Sequence, residues 1–321
     1  MSDKFPTAQD INEMSFKLFV NAIESAKDLD IQVVEIADTK VLDFGVGRKG
    51  TQQAGIILAE ICMGGLAKVE LVEPPADLNL PQIKVETSMP LKSCIGSQYA
   101  GWPLSHEKFF AMCSGPMRMP RGKEAVLTEH GLHQSASVTV GVMESAQLPD
   151  AKVIELIAQQ CGVESRDVNL CVASTASIPG STQVVARSVE TALHKLHELK
   201  FDLSTIVHGE GTAPVPPIAA DDMAALGWTN DSILYGSKVA LTVETEDAAI
   251  ESILDQIPSS SSAEFGTPFL EIFKRFDNDF YKIDRMLFSP AEIVIRNRKT
   301  DREFSAGKIR NDILKTSFGI S

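Results

Sequence analysis

Gly180-Ser181-Thr182-Gln183-Val184-Val185-Ala186-Arg187-Ser188-Val189-Glu190 reads as a small-residue loop running into a helix. The apolar run Val168–Ala173 precedes it and Ser204–His208 follows, so the stretch joins two predicted strands through a helix spanning Ser181–Leu199. Val185, Val189, Ala192, Leu196 and Leu199 form the apolar stripe of that helix, and Arg187, Glu190, His194 and His197 fall opposite it. Three residues apart on a helix, Arg187 and Glu190 are surface neighbours one turn in from an anion-favouring N-terminus. A carboxylate held by a guanidinium is suited to orienting and deprotonating a water. The same spacing also describes an exposed intrahelical salt bridge, which is the commoner outcome.

The order of elements around this stretch has a counterpart about 130 residues earlier. Strands over Ile31–Ile36 and Val41–Phe44, a glycine turn, a helix over Thr51–Cys62 and a strand over Val69–Val72 make a strand–helix–strand unit. An amphipathic helix over Asp10–Asp28 precedes them, as Ala151–Gln160 precedes the later set. Strands at Phe109–Cys113 and Val239–Val243 follow in the two halves. Matched element order is the usual trace of an internal duplication. The expected fold class is α/β (α+β): two related α/β lobes with an interdomain cleft. We place the first lobe at residues 1–125 and the second at 126–246, with a C-terminal segment, 247–321, packing across both.

Composition excludes several classes. The chain has 321 residues, 44% of them apolar, and a net charge of −13 with its acids spread throughout. A duplex-binding surface needs clustered Lys and Arg, so no nucleic-acid partner is expected. No window approaches the ~20 apolar residues of a membrane span, and Met1–Asp10 is polar rather than a signal core. Five cysteines without a CxxC pair read as reduced, buried thiols of a cytoplasmic protein. Pro74-Pro75, Pro214–Pro217 and Pro258–Ser262 mark turns or cleft loops.

Gly45-Val46-Gly47-Arg48-Lys49-Gly50 matches GxGxxG after a strand and before a helix, with Glu70 twenty residues on. That is the pattern of a nicotinamide-dinucleotide site, and it makes a dinucleotide-dependent oxidoreductase the alternative reading. Arg48 and Lys49 sit where small or apolar groups normally pack, and the motif is not in an opening βαβ unit. The HxxH pairs His130/His133 and His194/His197 show no third ligand nearby, so no metal site is expected. Phe269, Phe273, Phe276 and Phe280 recur at helical spacing and read as core, with Phe280-Tyr281 able to stack on a flat heterocycle. Arg118, Arg121 and Lys123 are the best local cation patch, either a solvated loop or a holder of an anionic tail.

Several strings, in order, resemble the methenyltetrahydromethanopterin cyclohydrolase family. They are Gly96-Ser97-Gln98-Tyr99-Ala100-Gly101-Trp102, Ser114-Gly115-Pro116, Gly180 to Arg187 with Glu190, and Thr191 to Lys195. Thr229-Asn230-Asp231 with Tyr235-Gly236, Gly266 to Phe273, Asp279 to Asp284 and Phe288-Ser289-Pro290-Ala291 complete the set. The resemblance implies a cytoplasmic homotrimer of two-domain subunits, a pterin substrate in the cleft, and one-carbon metabolism, in methanogenesis or formaldehyde oxidation. It implies no cofactor, the tetrahydromethanopterin being the substrate's carrier. Glu190 and Arg187 take the catalytic positions, and Ser97, Tyr99, Ser114, Gln183, Asn230 and Tyr281 are candidates for substrate contact. Ser97, Tyr99, Ser114, Gln183 and Asn230 are equally suited to capping a helix or closing a turn. Trp228 replaces an Arg common in the family, and Met117 and Met119 replace small residues. The family does not use a dinucleotide, which demotes the glycine loop to structure. A catalytically silent pterin-binding protein on the same fold is a further alternative, against which the intact Arg187 and Glu190 argue.

Overall fold

The computed structural model describes residues 10–74 and 78–320, so most of the polar start and Pro75 of the Pro74-Pro75 turn lie outside the described residues. The early strands are β1 (Gln32–Ile36), β2 (Thr39–Asp43), β3 (Lys68–Val72), β4 (Gln82–Thr87), β5 (Trp102–His106) and β6 (Phe109–Ser114). The later ones are β7 (Thr139–Glu144), β8 (Val168–Ala173), β9 (Ile206–Pro214), β10 (Lys238–Val243), β11 (Glu292–Asn297) and β12 (Arg302–Gly307). They form two six-stranded sheets, ordered β1-β2-β8-β7-β6-β5 and β12-β11-β10-β9-β4-β3. β2, β8 and β7 run parallel at the centre of the first sheet, and only β10 and β11 do so in the second. With helices on both, the architecture is the expected pair of α/β lobes.

The sheets are not consecutive blocks of chain. The chain passes from the first sheet to the second between β2 and β3, returns between β4 and β5, and crosses again between β8 and β9. The early strand–helix–strand unit is therefore corrected: β2 and β3 lie in different sheets. β2 has β1 on one side and β8 on the other, so both its ladders are already filled. The segment after Asp247 supplies β11 and β12 to the second sheet.

In chain order the helices are α1 (Ile11–Glu24), α2 (Gln52–Cys62), the short α3 (Arg118–Arg121) and α4 (Ala125–Glu129), and α5 (Ala151–Cys161). Then follow α6 (Ile178–Val185), α7 (Ser188–Glu198), α8 (Asp222–Gly236), α9 (Asp247–Glu251), α10 (Phe269–Arg275) and α11 (Asn311–Phe318). Helix α2 is apolar on two faces because both are covered, with Gln52, Gln53 and Glu60 on what remains. Ile56 and Ala59 pack with the second sheet, while Ala54, Leu58, Ile61 and Cys62 pack with the first. Each such fully buried Leu or Ile stabilises by about 1.5–3 kcal/mol relative to exposure. Beside α2 lies α6, so close that a Cβ on Gly55 would stand 2.5 Å from Thr182. Both helices lead the chain from the first sheet to the second.

The first half of the phenylalanine stripe is core, as expected, whereas Phe276 is half-buried and Phe280 is exposed. Phe269 and Phe273 pack with Leu234, Tyr235, Leu314 and Phe318, and Phe280 reaches Phe273 at 4.7 Å between centroids. All five cysteines are buried and free.

Candidate active site

The decisive local event is a break in the helix that the sequence predicts as continuous. Ser177 caps α6 by accepting from Gly180 N at 3.0 Å, and Pro179 stands in its first turn, where its missing N–H costs nothing. Gly180 is required there, because a Cβ would lie 2.0 Å from the Ser174 carbonyl oxygen. The helix ends at Val185, and Arg187 N closes a tight turn on Val184 O at 3.1 Å. Arg187 is thus the N-cap of α7, with φ −88° and ψ 8°, and Glu190 falls in the first turn of α7. Arg187 and Glu190 do not share one helical face.

Both side chains are nonetheless buried, each 6% exposed. The apolar side of α7, with Val189, Ala192 and Leu196, packs in the core of the second sheet. Its other side is covered by a π-helical segment, Leu91–Gln98, whose wide turn is marked by Tyr99 N donating to Cys94 O at 2.8 Å. A face opposite the core is therefore not a solvent face here, which removes the exposed-salt-bridge reading.

Arg187 reaches toward the first sheet. Nη1 donates to Gln98 O at 2.5 Å, and Nη2 lies 3.2 Å from Ser114 Oγ, 3.1 Å from Gln183 Oε1 and 3.1 Å from Glu144 Oε1. Its ion-pair partner is thus Glu144, at the end of β7, and not Glu190. Burial opposes the Arg187 charge, and Glu144, Cys62 and Glu190 more than offset it, so its pKa moves up. Glu190 takes no hydrogen bond among the described residues. Burial pushes its pKa up to about 7, against the lowering pull of Arg187 and Arg118 and with Glu144 adding to the rise. A buried carboxylate titrating near neutrality suits a general base.

Among the described residues, four buried polar atoms of Arg187 and its neighbours have no partner: Gln98 Oε1, Gln183 Nε2, Arg187 Nε and Ser188 Oγ. Unpaired buried polar groups are costly and cluster where a site must meet a polar ligand. One turn beyond Glu190, a cavity of about 270 Å³ is walled by Tyr99, Glu124, His194, His197 and Glu198. Tyr99 stacks on His194 at 5.4 Å and has the Arg118 guanidinium over its ring at 5.0 Å. Burial, then the Glu190 charge, push the Tyr99 pKa up to about 12. Glu190 is not among the residues that line this cavity.

The other expected residues divide. Ser114 and Gln183 meet Arg187 directly. Ser97 is buried and donates to Cys62 O at 2.6 Å, a structural bond between the π-helical segment and α2. Asn230 turns its amide onto Leu226 O at 2.9 Å within α8. The Tyr281 side chain lies outside the described residues. Arg118 is not a solvated loop cation: fully buried, it donates to Ile95 O and Ser97 O and pairs with Glu124. Arg121 lies over Trp102 at 4.3 Å. Met117 is core, filling the space that a Cβ on Gly141 would need, and Trp228 packs edge-on to Phe318.

Sequence reasoning missed Glu144, Cys62 and Gln98. Glu144 had one signal, a lone acid closing an otherwise apolar strand. His130 and His197, one from each HxxH pair, approach Glu129 with potential ligand atoms within 4.8 Å of one another, and among the described residues neither pair brings both of its histidines into such a group.

The glycine loop is already filled. The Asp43 carboxylate accepts from the N–H groups of Gly45, Val46 and Gly47 at 3.0, 2.7 and 2.8 Å, the donors a pyrophosphate would need. Glu70 pairs instead with Lys68 at 2.6 Å on a strand of the other sheet. Among the described residues no helix is long and apolar enough to cross a membrane.

Comparison with known proteins gives the family. A family model described as Cyclohydrolase (MCH) matches residues 10–318. The chain is 45% identical to the methenyltetrahydromethanopterin cyclohydrolase of Rhodopirellula baltica over 97% of its length and 95% of the relative's. It is 40% identical to that of Methylobacillus flagellatus, covering 97% and 96%, and 38% identical to that of Methanocaldococcus jannaschii, covering 96% and 98%. A family match over nearly the whole chain, joined to full-length relatives at this identity, leaves one conclusion: the chain belongs to the Cyclohydrolase (MCH) family.

Proposed function

We propose that the protein hydrates the methenyl bridge of methenyltetrahydromethanopterin to give formyltetrahydromethanopterin, reversibly, with Glu190 as general base and Arg187 as its orienting partner. The observation that carries the residue assignment is a buried Glu190 carboxylate without a hydrogen bond among the described residues, three residues from a guanidinium fixed by four acceptors.

The methenyl carbon sits between two nitrogens in a delocalised cation and is electrophilic without further activation. The reaction therefore needs a placed water and a proton acceptor. Glu190 removes a proton from water as its oxygen bonds to the carbon, forming a neutral tetrahedral adduct. Glu190 returns that proton to the departing nitrogen as the carbon–nitrogen bond breaks. The adduct's hydroxyl loses its own proton as the formyl C=O forms, so one proton is released overall, matching the charge lost by the substrate. Acid–base help of this kind is worth about 10²–10⁴-fold.

Gln183 Nε2 and Arg187 Nε are buried donors without a partner among the described residues, and they suit the attacking water or the formyl oxygen. We place the pterin rings against the Tyr99–His194 wall of the adjoining cavity. No cofactor is required by this chemistry. A cytoplasmic homotrimer serving one-carbon metabolism, in methanogenesis or formaldehyde oxidation, completes the reading and rests on the family resemblance. The test is loss of methenyl absorbance on adding enzyme, compared between methenyltetrahydromethanopterin and methenyltetrahydrofolate. Turnover of the first well above the second supports the reading; turnover of neither overturns it.

A further inference from the structure

We propose that Glu144 is a positioning residue for the hydration step: its carboxylate anchors Arg187 from the first sheet and balances the charge that Arg187 presents to Glu190. The inference rests on the reading of Glu190 as base.

The geometry carries it. Arg187 Nη2 has three side-chain oxygens within 3.2 Å, and only that of Glu144 is charged. Glu144 comes from β7 and Arg187 from the N-cap of α7, which packs on the other sheet, so the ion pair ties the two layers together at the site. The Glu144 side chain is 16% exposed, dry enough for its charge to be felt strongly. The titratable and charged groups facing the pair are Cys62 from α2, Cys94 and Tyr99 from the π-helical segment and its end, Arg118 from α3, and Glu144. Glu124 is engaged on Arg118. Glu144 is therefore the acid that meets Arg187 directly.

The two roles make opposite demands on Arg187. It must hold the water and carboxylate in place, yet an uncompensated guanidinium beside Glu190 makes that carboxylate a poor base. An anion on the far side of Arg187 reconciles them. Burial is the main cause of the raised Glu190 pKa, and Glu144 contributes in the same direction.

The experiment is the pH profile of kcat/KM for wild type, Glu144→Gln, Glu144→Asp and Glu190→Gln, with thermal unfolding as a check on folding. Glu144→Gln keeps an acceptor for Arg187 and is expected to fold. Its acid limb should move about one unit toward lower pH, with a plateau reduced about tenfold as the base weakens. Glu144→Asp retains the charge at greater distance, so its midpoint should fall between those of wild type and Glu144→Gln. An acid limb that stays in place or moves to higher pH in either variant overturns the role of Glu144. A purely structural role would lower kcat without moving the midpoint. If Glu190→Gln retains its turnover and acid limb, the reading of Glu190 as base fails instead, whatever the Glu144 variants do.

Discussion

The Arg187 guanidinium reaches Glu144 at 3.1 Å, and the Glu190 carboxylate three residues on takes no hydrogen bond among the described residues. A buried carboxylate spared from a direct ion pair keeps its basicity, while the fixed guanidinium nearby still orders whatever water it meets.

With Glu190 titrating at about 7 in the free enzyme, kcat/KM for hydrolysis should climb about tenfold per unit below neutrality and level off above it. Initial rates corrected for spontaneous hydrolysis measure this. A profile flat from about pH 5 to about pH 8 would contradict it.

Removing Arg187 acts in two ways. Arg187→Ala takes away the charge that pulls the Glu190 pKa down, so the acid limb should move to higher pH. The same change strips four acceptors of their donor and should lower kcat by about 10²-fold or more. Arg187→Lys keeps the charge but cannot span Gln98, Ser114, Gln183 and Glu144 together, so it should restore the midpoint without restoring kcat. Steady-state kinetics of the two variants separate the effects.

Stability gives an independent reading of the same group. The Glu190 pKa is raised on folding, so between about 4.5 and about 7 the folded state binds more protons than the unfolded chain. Stability therefore falls as pH rises through that window, and the full cost persists above it. Glu190→Gln removes the cost, on the order of 3 kcal/mol at most. The variant should match wild type near the bottom of the window and melt higher above its top. Asp231, whose pKa burial also raises to about 7, is common to both proteins and cancels in the difference. Thermal melts across the window decide the sign.

The glycine loop is predicted to be structural. Asp43→Asn puts an amide group where Asp43 accepts from the loop N–H groups, and should cost about 1–3 kcal/mol of stability. Titration of NAD or NADP into wild type should give no binding signal. A saturable signal lost in Asp43→Asn would return the loop to function.

Much of this was legible in the chain, and the failures have definite causes. The strands at Val168–Ala173 and Val239–Val243 and the phenylalanine core were readable because short-range pattern determines them. The break at Ala186–Arg187 was not, since no Gly or Pro marks it and its cause is packing on both sides of α7. The crossing of β3 and β4 into the second sheet depends on pairing with β9, more than a hundred residues away. Glu190 and Arg187 were named from local strings, but Glu144 is 43 residues from Arg187 and becomes its partner only through the fold. Asp43 carried its own message: an acid two residues before a glycine turn is placed to cap that turn itself.

The most direct measurement is turnover of methenyltetrahydromethanopterin by Glu190→Gln against wild type at saturating substrate. The account predicts a folded variant with kcat reduced about 10²–10⁴-fold. Near-wild-type turnover in that variant would contradict it, and the proton acceptor would have to be sought elsewhere.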